Sequence, residues 1–402
     1  MIKYCKISEL CKIYSGNSIN EKIKKEKYTN NNGIEYISTK DIGYNLKINY
    51  NNGIKISNSD LEKFRIAPPQ TVFICAEGGS AGRKLAISDR QLCFVNKLFA
   101  IVSTEKVLPK FIFYFIQSDN FNKQFKSAIT GLIGGVSLNK FKEFEIPILP
   151  ILTQQKIVAK LDKIFAEIDK VTAAAEANAK NAEALFHSYL KRIFDCDDEG
   201  WKEVTIGSLY KVTSSKRVLK SDWKSEGVPF YRGREITSLS KFGYVENDLF
   251  ITEKMYSEYS LTYGVPSADD IMVTAIGTIG NTYIVKNNDK FYFKDASVLW
   301  LKKEKDIDSK FVNYWFKSSH FTSQLDVGLG ATVDSLTIGK VGGLRIKIPT
   351  LNTQKHVVEK LDALSSEIIK STKSYKDKAD ELASLRQSTL KQAFSGELVK
   401  AA

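Results

Sequence analysis

An internal repeat constrains the fold of this chain more than any other feature. When the sequence is aligned with itself at a displacement of 200 residues, 16 of the 42 positions from 153 to 194 are identical without a gap. Ordinary composition gives roughly three identities by chance over such a length. Lys160-Leu161-Asp162, for example, recurs as Lys360-Leu361-Asp362. The chain is therefore built from two copies of one plan.

The repeat continues upstream with lower identity. Lys110-Phe111 recurs as Lys310-Phe311, and Gly79-Ser80-Ala81-Gly82 resembles Gly277-Thr278-Ile279-Gly280 at a displacement of 198. Each half is thus predicted to hold a diverged globular module followed by a better preserved segment. The predicted boundaries place the modules at 1–145 and 196–345 and the preserved segments at 146–195 and 346–402.

The preserved segments are predicted to be long helices. Apolar residues recur at spacings of three and four from Ile157 to Tyr189 and from Val357 to Leu385, which is typical of coiled-coil a and d positions. Glycine and proline are absent from 151–194 and from 350–394. A helix over residues 153–194 would be about 63 Å long.

A long apolar stripe on a helix must be covered. We expect the two helices to cover each other as an antiparallel coiled coil; packing of each stripe on its own module is the alternative. Asn178 and Lys378 stand at equivalent positions on the two stripes, and they are expected either to set the register or to face solvent.

The modules are predicted to be α+β with a mixed β-sheet. Short apolar runs at 71–75, 98–102 and 271–274 are typical of strands, and Asn/Gly pairs mark turns between them. Residues 110–125 and 310–325 carry aromatic residues at helical spacing and are predicted to be helices.

The charge balance favours a polyanionic partner. The chain has 59 Lys and Arg against 46 Asp and Glu, a net charge of +13. Residues 1–145 hold 22 basic and 13 acidic side chains, whereas residues 196–345 hold 20 of each. An excess of this size is typical of nucleic-acid binding, although many soluble proteins are also basic.

The composition favours a reduced, cytoplasmic location. No run of 18 apolar residues and no secretory leader is present, so neither a membrane span nor export is expected. Five irregularly spaced cysteines predict reduced thiols rather than a disulfide framework or a zinc site. The three scattered histidines predict no metal site and no general base.

Catalytic motifs are absent or misleading. Gly339-Lys340 is followed by Val341, so the chain has no Walker loop. Residues 78–82 fit the Gly-x-Ser-x-Gly pattern of a hydrolase nucleophile elbow. The repeated loop, however, has Thr278 where the first has Ser80. A loop that is kept in both halves without its nucleophile does not favour a hydrolase, so no catalytic residue is assigned.

The two glycine loops are the candidates for nucleic-acid contact. Glycines let backbone N–H groups approach phosphates, and Arg, Lys, Asn and Thr side chains contact phosphates or base edges. An ordinary hairpin turn with solvated charges is the alternative. The candidate DNA-binding residues are Lys40, Ser80, Arg83, Lys84 and Lys97 in the first module and Arg232, Arg234, Thr278, Asn281 and Lys294 in the second.

Together these segments resemble the specificity subunit of type I restriction-modification systems. The residues that carry the resemblance are Ile146-Pro147-Ile148-Leu149-Pro150 with Gln154-Gln155-Lys156-Ile157, their repeat Ile346-Lys347-Ile348-Pro349-Thr350 with Gln354-Lys355, and Trp201-Lys202-Glu203-Val204. Lys347 and Thr350 depart from the prolines of the first copy.

The resemblance implies a recognition subunit without chemistry of its own. Each module would be a target recognition domain that reads one half of a split, asymmetric site in double-stranded DNA. The paired helices would form a spacer and a docking surface for two methyltransferase subunits, joined by endonuclease-translocase subunits. S-adenosylmethionine, ATP and magnesium would belong to those partners, with no cofactor in this chain. The implied spacer and docking residues are Gln154, Ile157, Leu161, Ile168, Gln354, Val357, Leu361 and Ile368.

Two other functions stay open at this stage. The chain could serve another assembly, such as a fused-type restriction enzyme or a methylation-based phage defence system. It could also be a coiled-coil interaction protein without a DNA role, which accounts for the helices but leaves the modules unexplained.

Overall fold

The structure, a computed structural model, describes residues 3–131, 134–195, 200–325 and 335–400. The chain divides into two units: the first comprises Met1–Ala175 with Asp377–Ala402, and the second comprises Glu176–Lys376. Each unit thus contains one module and a segment of each long helix. The predicted first residue of the second module, Cys196, lies outside the described residues.

The described elements of the two halves follow a similar order. The strands are β1 Lys3–Lys6, β2 Cys11–Ser15, β3 Ile34–Ile37, β4 Lys55–Ile56, β5 Ile66–Ala67, β6 Val72–Cys75, β7 Leu85–Ile87, β8 Leu92–Phe94, β9 Leu98–Ser103, β10 Glu145–Ile148, β11 Lys202–Thr205, β12 Tyr210–Thr213, β13 Val228–Tyr231, β14 Phe250–Ile251, β15 Ile271–Thr274, β16 Thr282–Ile284, β17 Tyr292–Phe293, β18 Val298–Lys303 and β19 Arg345–Ile348. The helices are α1 Ile7–Leu10, α2 Glu21–Lys27, α3 Pro109–Ile116, α4 Asp119–Ala128, α5 Leu138–Lys142, α6 Ile151–Phe194, α7 Ile206–Leu209, α8 Gly233–Phe242, α9 Glu253–Tyr263, α10 Ser309–Phe316, α11 Ser319–Ser323, α12 Ile338–Gly343, α13 Leu351–Ser395 and α14 Glu397–Lys400, with 3-10 turns at Asn58–Lys63 and Lys220–Asp222. Strand β5 has no counterpart in the second half, and α8 and α9 have none in the first.

The first unit contains a four-stranded antiparallel sheet of order β2-β9-β6-β7 and a second sheet of order β4-β3-β8-β5. Strands β3 and β8 of the second sheet are parallel, so the predicted mixed sheet is confirmed. Strand β6 is buried on both faces: Val72 and Ile74 belong to the core under the helices, and Phe73 and Cys75 belong to the core shared with Phe94. This double burial explains its uninterrupted apolar sequence.

The second unit repeats the plan with sheets of order β12-β18-β15-β16 and β14-β13-β17. The parallel pair recurs between β13 and β17. Ile271 and Val273 of β15 belong to the core that includes Trp315, whereas Met272 packs with Phe293 on the other face. The two units therefore bury the same strand in the same way.

Residues 146–148 and 346–348, which open the two preserved segments ahead of the predicted helices, form strands. Strand β10 pairs with β1 in antiparallel register, with Lys3 opposite Ile148. Strand β19 pairs with β11 in the same way, with Lys202 opposite Ile348. Each two-stranded ribbon joins the beginning of a module to its end, and α6 and α13 start only at Ile151 and Leu351.

The segments 110–125 and 310–325 are each divided into two helices, where one was predicted. In the first unit Ser118 separates α3 from α4, because its Oγ accepts a hydrogen bond from the backbone N–H of Phe121 and so caps α4. In the second unit Ser318 stands between α10 and α11 at the equivalent position. Helical periodicity continues across these serines, which is why the sequence did not reveal the break.

The long helices pack against each other in opposite directions inside the first unit. Lys160 Nζ lies 2.8 Å from the carbonyl oxygen of Leu398, and Arg386 lies 2.7 Å from Asp169 Oδ1, so the numbering rises along one segment and falls along the other. Arg386 also covers the ring of Phe165 at 4.0 Å. The predicted antiparallel pairing is confirmed there.

The apolar stripes also pack on the modules, so both proposed ways of covering them are used. Leu390 and Phe394 are buried with Phe111 in the first unit. Leu190 and Phe194 are buried with Phe311 in the second unit, in the same core as Val358 and Leu361. Asn178 and Lys378 are exposed. Of the two predictions made for them, to set the register or to face solvent, the second is confirmed.

An aspartate fastens each long helix to its module. The Asp162 carboxylate accepts hydrogen bonds from Lys110 Nζ at 2.7 Å and from the hydroxyl of Tyr114. In the second unit Asp362 accepts from the equivalent lysine at 2.7 Å and from Tyr314 at 2.6 Å. This contact explains why Lys-Leu-Asp is among the best preserved parts of the repeat.

A buried glutamine holds the first turn of each long helix. Oε1 of Gln154 accepts a hydrogen bond from the backbone N–H of Leu108 at 2.9 Å, and its Nε2 donates to the carbonyls of Lys106 and Leu149 at 3.0 and 2.8 Å. Gln354 makes equivalent bonds within the second unit. Both glutamines are therefore internal residues of their own units.

Replacing this glutamine tests its structural role. Gln154→Leu leaves three backbone groups unpaired in a buried place, and we expect a loss of about 3 kcal/mol of unfolding free energy, measured by urea unfolding of the full chain. The matched control is Gln155→Leu, because that neighbour is exposed; we expect a change below about 0.5 kcal/mol. Equal losses in the two variants would contradict this assignment.

Candidate nucleic-acid interface

The glycine loop of the first unit connects β6 to β7 and is held by backbone contacts. The N–H of Gly78, which has a φ of +83°, donates to the carbonyl of Gly134 at 2.8 Å. The N–H of Gly82 donates to the carbonyl of Cys75 at 2.9 Å. A Cβ on Gly82 would lie 2.7 Å from a ring carbon of Phe125, so no larger residue fits there without displacing the ring.

Two cations of this loop gather around an exposed tyrosine. The Tyr44 ring lies 5.7 Å from the Arg83 guanidinium and 5.2 Å from Lys84 Nζ. Lys84 Nζ also donates to the carbonyl of Thr39 at 3.0 Å, and the hydroxyls of Tyr44 and Ser80 are 3.2 Å apart. The structure thus brings Ser80, Arg83 and Lys84 into one surface cluster with Tyr44.

Tyr44 was missed by sequence reasoning. It is 60% exposed, on a polar loop that follows β3. The signal that could have found it is a large aromatic residue placed among Gly, Asn and Lys. Lys40, on the same loop, is exposed. Lys97 forms an ion pair with Glu77 at 3.3 Å.

The equivalent loop of the second unit connects β15 to β16 and carries no cation. Asn281 is held by its own side chain, which donates to Thr237 Oγ1 at 3.3 Å and to the carbonyl of Thr278 at 3.2 Å. Thr278 is exposed. A Cβ on Gly280 would lie 2.3 Å from a ring carbon of Phe321, the same restriction as in the first unit.

Arg232 and Arg234 take part in an ion-pair cluster at the start of α8. Arg232 contacts Glu235 at 2.9 Å and Asp248 at 2.8 Å, and Arg234 contacts the same two carboxylates at 2.8 and 2.7 Å. The Glu235 side chain is completely buried. Burial disfavours its charged form, but hydrogen bonds from Arg232 and Arg234 hold the pKa of Glu235 below its ordinary value.

This cluster gives Arg232 a structural role, and the base contact expected of it from the sequence stays a prediction. Its backbone N–H donates to the Glu235 carboxylate at 2.8 Å, which satisfies one N–H at the start of α8, and its side chain is 25% exposed. Reading a base with Arg232 would take its guanidinium away from Glu235 and Asp248, and the buried carboxylate of Glu235 would then keep only Arg234 and the backbone N–H of Arg232 as partners. Arg234 is more exposed, and its DNA contact stays a prediction.

Lys294 does not stand at the place of Lys97. The N–H of Lys294 donates to the carbonyl of Tyr231 at 2.8 Å. In the first unit Val95 makes this contact, with the carbonyl of Ile37 at 2.9 Å. Lys294 is therefore equivalent to Val95.

The predicted docking residues lie mostly in the cores of their own units. Six of the eight predicted docking side chains are buried: Gln154, Ile157, Leu161, Ile168, Gln354 and Leu361. Val357 and Ile368 are partly exposed. The fully buried residues stabilise the packing of the helices and leave no free surface for another subunit.

Among the described residues, no group of three or more His, Cys, Asp or Glu is arranged to hold a metal. The cysteines Cys5, Cys11, Cys75 and Cys93 are free, whereas Cys196 lies outside the described part. Within that part, no helix combines the length and apolar character that crossing a membrane requires.

The fold defines a class of duplicated α+β proteins that is represented among solved structures. A chain solved in a study of complex assembly and conformational transition of the type I R-M system superposes with a TM-score of 0.76 at 16% identity, covering 98% of both chains. The HsdS subunit from Thermoanaerobacter tengcongensis gives a TM-score of 0.55 at 17% identity, covering 98% of this chain and 97% of that one.

Sequence comparison identifies the family. The "Type I restriction modification DNA specificity domain" matches twice, at residues 2–179 and 198–378. The chain belongs to this family. A putative type I restriction enzyme specificity subunit of Haemophilus influenzae, S.HindORF215P, is 25% identical over 66% of this chain and 67% of that protein. The putative MjaX specificity subunit of Methanocaldococcus jannaschii is 24% identical over 82% and 79%.

Family membership confirms the resemblance drawn from the sequence. It places the chain among specificity subunits, the recognition components of restriction-modification systems, and not among their enzymes. It also accounts for both modules, which a coiled-coil interaction protein would leave unexplained.

The Glu235 cluster makes a pH-dependent prediction. Removing the buried charge in Glu235→Gln should cost about 2 kcal/mol of unfolding free energy at pH 7. Because the pKa of Glu235 is lowered in the folded chain, its stabilisation is present above the unfolded pKa of about 4.3 and is lost as the pH falls through the folded pKa. The difference between wild type and variant should therefore shrink below about pH 4.

The measurement is urea unfolding of both chains at a series of pH values. Asp248→Asn is the matched control, because Asp248 contacts the same arginines but is 61% exposed. We expect it to cost below about 1 kcal/mol. A wild-type advantage over Glu235→Gln that persists unchanged at pH 3 would show that the Glu235 charge is not the stabilising group.

Proposed function

We propose that this chain is a specificity subunit that reads a bipartite, asymmetric DNA site and directs adenine-N6 methyltransferase and endonuclease subunits to it. One observation carries the proposal: two units of one family share a scaffold but present different side chains at the equivalent glycine loop. Each unit would read one half-site. Because the loops differ, the half-sites should differ, and the complete site should not be palindromic.

The first unit is suited to holding the DNA backbone. Arg83 and Lys84 lie on an exposed loop beside Tyr44, in the module that carries the excess of positive charge. Cations placed in this way neutralise phosphates and release counterions. The second unit has the neutral Thr278 and Asn281 on its loop, so we expect it to contribute less to the salt-dependent part of the affinity.

The partner subunits are part of the proposal. Two methyltransferase subunits would dock on the long helices, and endonuclease-translocase subunits would join them. The partners would supply S-adenosylmethionine, ATP and magnesium, with none of these bound by this chain. Since most of the predicted docking side chains are internal, we propose that docking uses exposed apolar residues of the long helices, such as Leu385 and Ile369, which are 51% and 66% exposed.

Neutralising the loop cations tests the contact with phosphates. In Arg83→Ala/Lys84→Ala each lost phosphate contact should reduce the slope of log K against log salt by about one. Affinity should fall most at low salt. Salt-dependent binding is measured by fluorescence anisotropy with the complex of this chain and its methyltransferase. Lys25→Ala, which removes an exposed cation of α2, is the control. An unchanged affinity of the double variant at low salt would contradict the assignment.

Mapping N6-methyladenine in a genome tests the proposed function as a whole. Co-expression of the chain with its methyltransferase subunits should methylate one asymmetric motif with two defined halves and a gap of constant length. A palindromic motif, or methylation that does not depend on this chain, would contradict the proposal.

The same mapping tests the proposed spacer. Adding one turn of about four residues to each of α6 and α13 lengthens each helix by about 5–6 Å, which corresponds to about one or two base pairs along the duplex. The inserted turns disturb the apolar stripes, so some stability should be lost. The variant should recognise the same half-sites across a longer gap. An unchanged gap, or altered half-sites, would show that the helices do not set the distance between the half-sites.

A further inference from the structure

The glycine loops of the two units can be matched residue by residue at their first position. The N–H of Ala76 donates to the carbonyl of Lys97 at 2.9 Å, and the N–H of Ala275 donates to the carbonyl of Ser297 at 2.9 Å. Ala76 and Ala275 each directly follow the central strand of their sheet. The residue after each alanine is therefore equivalent in the two units.

That position differs in chemistry between the units. The first unit has Glu77, which pairs with Lys97 at 3.3 Å. The second unit has Ile276, whose side chain is 50% exposed. An ion pair in one unit is thus replaced by an exposed apolar side chain in the other. Since the surrounding backbone contacts are kept, the difference concerns what the loop meets outside the protein.

Ile276 lies at an open apolar notch of about 380 Å³ in the second unit. Leu219, which is 60% exposed, and Trp223 contribute to the same notch. Single exposed apolar residues are normal on a protein surface, so the candidate site here is the depression that several of them share.

Cations border this notch. Arg217, Lys220 and Lys294 are among its lining residues. Arg217 is paired with Asp295 at 2.8 Å, whereas Lys220 and Lys294 form no ion pair within the part of the chain that the structure describes. An apolar centre with free cations at its border complements a ligand that has an apolar group between phosphates.

The edge of a thymine in a DNA duplex has this chemistry. In the major groove thymine presents its C5 methyl group, which apolar side chains contact, and phosphates flank every base. An uncharged protein surface would match the apolar centre but not the bordering cations, so the charge complementarity favours DNA.

We propose that Ile276, with Leu219 beside it, contacts the C5 methyl of a thymine in the half-site read by the second unit. This inference rests on the proposed function and deepens it, since it names one base and the side chain that reads it. It also assigns the two units different means of recognition at one equivalent position.

Replacing single thymines by deoxyuridine tests the contact, because deoxyuridine lacks only the C5 methyl group. The complex of this chain with its methyltransferase is titrated with duplexes that carry the mapped site, each with one deoxyuridine in the second unit's half-site. At one position we expect the affinity to fall about fourfold, because that factor corresponds to the free energy of burying one methyl group. Ile276→Ala should bind the unmodified duplex about as weakly and should no longer distinguish thymine from deoxyuridine there.

Leu261→Ala is the matched control, because Leu261 is an apolar residue of the second unit that is 91% exposed and does not line the notch. It should keep both the affinity and the response to deoxyuridine. Three results would overturn the inference and leave the proposed function intact. The half-site could contain no thymine, or none of its thymines could respond to deoxyuridine. The third such result is an Ile276→Ala complex that still distinguishes the two bases. An Ile276→Ala variant that folds but fails to assemble with the methyltransferase would also overturn the inference, since the notch would then bind protein. A complex that binds no defined site would overturn both proposals.

Discussion

The hydrogen bonds of one aspartate on each long helix are the contact on which the rest of the structure depends. Asp162 accepts from a lysine and a tyrosine of α3, and Asp362 accepts from their equivalents in α10. Burial, together with the hydrogen bond to Asp362, raises the pKa of Tyr314 above its ordinary value, so the hydroxyl stays a donor. With the glutamine about two turns earlier, this aspartate fixes the direction in which each helix leaves its module.

A common scaffold with different exposed loops explains how one fold can serve two readers. The glutamine contacts of the scaffold are buried and satisfied on both sides, so a change in either partner leaves an unpaired group and costs stability, whereas the aspartate contacts are partly exposed. The glycine loops are bound to the scaffold through backbone atoms, and their side chains are free to differ. Arg83 beside Tyr44 and Ile276 beside Leu219 are two outcomes of that freedom.

Much of the fold was predictable from periodicity. The ends of α6 and α13 lie within two residues of the predicted ones, and the strands at 72–75, 98–103 and 271–274 were found, because both kinds of element bury an apolar pattern of fixed period. The strands at 145–148 and 345–348 were missed, since their partners lie at the other end of each module. The division between α3 and α4 was missed because it depends on the hydroxyl of Ser118 acting as a cap.

The sequence by itself determined the duplication, the long helices, the α+β modules and the family, because repeated residues and apolar periods can be seen along one dimension. The tertiary structure alone decided which of the candidate side chains are free. It joined Ser80, Arg83 and Lys84 to Tyr44, engaged Arg232 with buried Glu235, and exposed Ile276. The physical reason is that a side chain's availability depends on partners distant in sequence: a charge opposite a buried carboxylate is bound to it, and the same charge on an open loop can meet a ligand.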